Sequence, residues 1–200
     1  MSSDSKYLRP WKEEQSSIDL IRELSAAARG GDLEGVTRLL TQHRTFFEQR
    51  YHYELEDSYI SLLNEMFYRA ATTGNVAMVE LFLRHGADIN QPRHVKTGEG
   101  VVERLASDDA NHAMIEWLLI HGAKVSHVRD GRPVSDSLLS AAIGGSLRIV
   151  RSLVEHGAPV NGRARNGLTA LDLAINDGHS EVAAYLRSVG GLRASELTDK

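Results

Sequence analysis

A chain of 200 residues with a net charge of −4, 42% apolar and 25% charged side chains has the ordinary composition of a soluble protein. The absence of cysteine removes disulfides, thiolate metal sites and thiol nucleophiles, and so small a net charge gives no argument for nucleic acid or a membrane surface. Residues 1–15 are polar and no stretch approaches a membrane span, so the expectation is a soluble, cytoplasmic protein.

The chain opens with a flexible tail, 1–17, that contains Pro10 and shows no helical period. Its Leu8 and Trp11 either stay solvated or dock on the first repeat or on a partner. Ser16 or Ser17 can cap the helix that follows, with Asp19 in the first turn where negative charge is favoured. Leu24, Ala27, Ala28, Gly31, Leu33, Val36, Leu39 and Leu40 then predict a first helix pair over 18–40. Gly35 inside it costs about 1 kcal/mol relative to alanine.

An insertion, 41–60, carries Phe46, Phe47, Tyr51, Tyr53 and Tyr59. These side chains either plug the first interface and extend the helix leading to Phe67, or form an aromatic surface that anchors a partner. The pattern resumes in a unit over 61–90, with Phe67, Ala70, Ala71, Gly74, Val79, Phe82 and Gly86 in register. A third unit, 101–125, is irregular. Glu103 stands where other units have Leu or Phe, Ala110 replaces the turn glycine, and His112 replaces an apolar residue. Such a break marks either drift or a functional site. Units over 136–161 and 169–191 complete a single array, 18–191, and 192–200 reads as a polar tail or a short final turn.

The last two units show the pattern best. Leu138, Ala141, Ala142, Gly145, Val150, Leu153 and Gly157 are echoed 33 residues on by Leu171, Ala174, Ile175, Gly178, Ala183, Leu186 and Gly190. An apolar residue followed by small ones gives a short, closely packing helix, glycine ends it, and a second apolar helix follows. The phrases His156-Gly157-Ala158-Pro159-Val160-Asn161 and Asn166-Gly167-Leu168-Thr169-Ala170-Leu171-Asp172-Leu173-Ala174 resemble the ankyrin-repeat family. That resemblance implies an all-α solenoid of about five stacked helix-turn-helix pairs, with hairpin-like loops near 89–101, 125–136 and 160–169.

Nothing in the sequence argues for chemistry. There is no His-Glu-x-x-His, no Gly-x-Ser-x-Gly, no phosphate-cradling glycine loop and no EF-hand loop, so an enzyme, a cofactor and a metal site are not expected. His85, His121 and His156 recur at the ends of second helices, where they can meet free carbonyls. The loops are more informative, with Arg93, Lys96, Arg129, Arg132, Arg163 and Arg165 making one edge basic in an acidic protein. The ankyrin resemblance implies that loop tips and exposed first-helix faces form a concave partner-binding surface. With Tyr68, Arg69, Thr72, Asp108, Asp109, Asn176 and Asp177 on those helices, the expectation is a non-enzymatic module for a protein partner with an acidic patch.

An inhibitor or immunity-type protein that neutralises an enzyme or toxin is the specific form favoured. The alternatives are a scaffold or adaptor, or a small-molecule or catalytic site in the third unit around Glu103, Asp108, Asp109 and His112.

Overall fold

The computed structural model describes residues 15–48, 50–53, 58–92, 99–129 and 131–197. Its helices pair as α1 (Gln15–Gly30) with α2 (Leu33–Gln42), α4 (Leu62–Thr72) with α5 (Val76–Arg84), and α6 (Val101–Leu105) with α7 (His112–Ile120). Two further pairs follow, α8 (Asp136–Gly144) with α9 (Leu147–Glu155) and α10 (Ala170–Asn176) with α11 (Ser180–Ser188). First helices stack in the order α1, α4, α6, α8, α10. One continuous apolar seam runs from Leu24 through Phe67, Phe82, Ile115, Leu138 and Leu153 to Leu186. The expected all-α solenoid of five helix pairs is the architecture observed.

Local chemistry explains where the helices start. Asp32, Asn75, Ser135, Ser146 and Thr169 occupy N-cap positions, and each side chain accepts a backbone N–H of the first turn. At Gly145 the φ of +71° is one that other residues adopt only with strain, and a Cβ there would overlap the His179 ring. That ring caps the neighbouring unit instead, with Nε2 donating to the Ile143 carbonyl at 2.8 Å. Two of the recurring histidines do the same within their own units. Nδ1 donates to Trp117 O at 2.7 Å from His121 and to Ser152 O at 2.8 Å from His156.

One segment departs from expectation. The insertion does not extend a helix toward Phe67. It contains a short α3 (Arg44–Glu48) and an antiparallel pair, β1 (Arg50–Tyr53) with β2 (Ser58–Ser61), and α4 begins only at Leu62. Phe46 packs half-buried against the core, while the side chains of Phe47, Tyr51, Tyr53 and Tyr59 lie outside those described. The alternating polar and aromatic residues of this stretch suit a strand better than a helical face.

At the C-terminal end, of the tail and the short final turn, it is the turn that forms over residues 191 to 197. The chain passes through a 3₁₀ segment, Ala194–Glu196, and folds back on the last unit. Residues 1–14 and 198–200 lie outside the described residues, and so do Leu8 and Trp11.

The third unit is irregular for a visible reason. Without a turn glycine, α6 stops at Leu105 and the chain crosses to α7 through a 3₁₀ turn, Asp109–Asn111. Asp108 accepts Ala110 N–H and Asn111 donates to Leu105 O, both at 3.0 Å. Val101, Val102, Leu105 and Ala106 fill the core where Glu103 cannot. A Cβ on Gly144 of α8 would overlap the Ser107 carbonyl, so the next unit packs directly on this shortened turn.

Candidate functional site

The basic edge is assembled from two loops. β3 (His127–Arg129) pairs antiparallel with β4 (Arg132–Val134), and the following loop closes through a bridge between Arg163 and Thr169. Gly162 lets the two approach, since its Cβ would lie 3.0 Å from Val134 Cα. Between them is a cleft of about 460 Å³ lined by Arg132, Pro133, Val134, Arg163, Ala164, Arg165 and Gly167. Among the described residues three arginines line it and no carboxylate does. Of the sequence-expected residues the structure therefore brings together Arg132, Arg163 and Arg165. Arg129 contributes its backbone to β3, its side chain is not among those described, and Arg93 and Lys96 lie outside the described residues.

The three arginines are not equivalent. Arg163 donates to the Ala194 and Leu197 carbonyls, each at 3.2 Å, so the folded-back C-terminal segment fixes it. Arg165 is exposed, and among the described residues it makes no hydrogen bond or ion pair.

The C-terminal segment is itself clamped. Asp172, 3% exposed, accepts from Arg193 Nε at 2.8 Å, Ala194 N–H at 2.7 Å and Thr169 N–H at 3.2 Å. Burial pushes its carboxyl up, but Arg193 and the backbone donors outweigh burial and hold it at about 2. Glu196 pairs both oxygens with Arg187, at 2.6 and 2.9 Å, which holds its carboxyl at about 2.

The first-helix residues divide. Thr72, Asp108 and Asn176 lie exposed at equivalent ends of their units, and Ile143 takes the same place in the fourth. Tyr68 does not belong to this face, because it is 3% exposed and its hydroxyl donates to the Glu99 carbonyl at 2.8 Å. Its ring is large and apolar enough to serve as core. Arg69 is exposed and donates to the buried Glu65 at 2.9 Å. Asp109 and Asp177 do not meet across the stack, since the fourth unit, with Gly144 at the same turn, lies between them. Asp177 is exposed at the end of α10. Asp109 instead accepts from Arg148 and from Ser146, and the Arg148 bond above all lowers its pKa.

A second cleft, about 310 Å³, reaches the start of the β3–β4 ribbon at His127. Ile89, Val101, Val102, Ala123 and Val125 make its wall apolar, and Ser126, His127, Asp136 and Glu103 stand around it. His127 and Asp136 are 3.4 Å apart. Of the four residues considered for chemistry in the third unit, only Glu103 lines a cleft described here. His112 instead faces Ser152 at 3.3 Å and Glu116 at 3.8 Å, and Asp109 is paired with Arg148. No cleft described here gathers the four. The sequence reading missed Ile143, Val128 and this apolar wall, and only the spacing of apolar residues either side of the 89–101 loop hinted at the wall.

An ankyrin-repeat model matches residues 67–94, and a model of three ankyrin repeats matches residues 103–193. Together these cover more than half of the sequence, and the chain belongs to the ankyrin-repeat family. It is also similar to protein phosphatase 1 regulatory subunit 27 of Mus musculus and of Homo sapiens, with 39% identity over 63 residues in each case. The aligned stretch is 32% of this chain and 41% of each relative, so the chain spans less than half the length of the curated relatives it matches. Ankyrin repeats are protein-interaction units, and binding a partner protein is the role this family membership carries.

Proposed function

We propose that this chain is a non-catalytic regulator that binds an enzyme through its hairpin edge and inner helices and restrains its activity. The observation that carries the reading is the cleft between β4 and the 163–169 loop, lined by Arg132, Arg163 and Arg165 on a protein whose net charge is −4. Complementary charge of this kind speeds association with an acidic partner and loses force as salt rises. The regulatory role is supported by the relatives, which are named as regulatory subunits. The aligned 63 residues are about two repeat lengths, so they support the binding scaffold and do not single out a phosphatase.

Affinity capture from native lysate tests this, with the wild-type chain and an Arg132→Glu, Arg165→Glu variant at low and high salt. The captured protein is identified and its activity assayed with and without the chain. Arg163 is left alone because its guanidinium also holds the C-terminal turn. Capture lost in the variant, with suppressed activity of the captured enzyme, is the expected result. Capture unchanged by both reversals and by salt would refute the choice of face.

A further inference from the structure

We infer that the bound part of the partner is an extended acidic segment read at two points, a carboxylate in the arginine cleft and a large apolar side chain in the cleft beside it. The inference rests on the binding role proposed above and adds the chemistry of what is bound. The β3–β4 ribbon contributes to both clefts, with Arg132 to Val134 lining one and His127, paired with Val134, lining the other beside Ser126. Among the described residues one is lined by three arginines and no carboxylate, while the other is walled by Val101, Val102 and Val125, with Glu103 and Asp136 also in its lining. Val128, 72% exposed, follows His127 on β3, where a segment crossing from one cleft to the other would cover it.

The geometry sets the spacing. Stacked helices are separated by about 10 Å, and an extended chain advances about 3.3 Å per residue. A segment lying across the ribbon therefore places its apolar and acidic side chains roughly three residues apart. A helical segment advances only about 1.5 Å per residue and presents the two at a different interval. Charge complementarity fixes the sign of the ligand, because Arg165 has no ion-pair partner among the described residues.

The test is selection from a phage-displayed library of random peptides of about twelve residues on the full chain, on Arg165→Glu and on Ser126→Trp. Thermal unfolding checks that each variant is folded. The expected enrichment is for Asp or Glu roughly three residues from a large apolar residue. A synthetic copy of an enriched peptide should bind Arg165→Glu roughly tenfold more weakly. Selection on Ser126→Trp, which fills the apolar cleft, should keep the acidic preference and lose the apolar one.

No enrichment, basic peptides, or acidic peptides without the apolar partner would overturn the inference. So would full competition by inorganic phosphate alone, which would reduce the cleft to a simple anion site. If lysate capture succeeds and the spacing is absent, this inference fails while the binding role stands. If capture fails as well, the role fails with it.

Discussion

Replacing Asp172 with Asn tests the C-terminal clamp directly. The carboxylate is buried, its pKa lies at about 2 against an ordinary 3.8, and it accepts from Arg193, Ala194 and Thr169. A pKa lowered on folding means that the unfolded chain binds protons more readily, so stability rises with pH between the two values. The contribution is complete well above the unfolded value of 3.8 and is lost as pH falls through the folded value of about 2. At 1.36 kcal/mol per unit the gap is worth about 2 kcal/mol at neutral pH, and about half of that survives near pH 3. Because array ends open locally, the assay is hydrogen exchange of the α10, α11 and 191–197 amides, wild type against Asp172→Asn at each pH. The variant should exchange roughly thirtyfold faster at pH 7, and the ratio should shrink steadily toward pH 2. A ratio that is the same at pH 7 and pH 3, or equal exchange at pH 7, would refute the assignment of the clamp to this ion pair.

Leu138, 1% exposed, is central to the seam, and Leu138→Ala should lower urea stability by about 2 to 5 kcal/mol. Gly145→Ala should cost more than about 1 kcal/mol, from the left-handed backbone and from contact with His179. Combining it with His179→Ala should cost less than the two changes added, which a thermal-unfolding cycle measures. Asn161 donates to Gly190 O at 3.0 Å and accepts Leu192 N–H at 2.8 Å, so Asn161→Ala should destabilise the last unit by about 1 to 2 kcal/mol. Asn90 makes the equivalent pair of bonds to Gly122 O and Lys124 N–H. The third unit has Ser126 at this position, opposite Pro159, which has no N–H to offer. Ser126→Ala should therefore stay within about 0.5 kcal/mol in the same urea assay.

Much of this protein is written in local order. Leu138 and Leu171 recur with glycines at a constant stride, and a short amphipathic helix that cannot bury its face alone must stack on its neighbour. The helix pairs, the turn at Gly145 and the capping role of His121 and His156 follow from residues within one repeat length, which is why they could be read without coordinates. The loop positions of Arg132, Arg163 and Arg165 were legible for the same reason, since each falls at a fixed place in its repeat.

What only tertiary structure decided is everything that depends on a second unit. Tyr68 lies on a helix position that periodicity leaves ambiguous, and its burial depends on where the Glu99 carbonyl passes. Asp109 reads from the sequence as an exposed first-helix residue, and stacking places Arg148 and Ser146 beside it. The C-terminal residues carry no helical period, and they fold because Asp172 and Arg163 offer them partners 21 to 34 residues away in the chain. A repeat fixes its own helices through short-range caps and apolar spacing. Which polar side chains remain for a partner depends on what neighbouring units and the folded-back end have already taken.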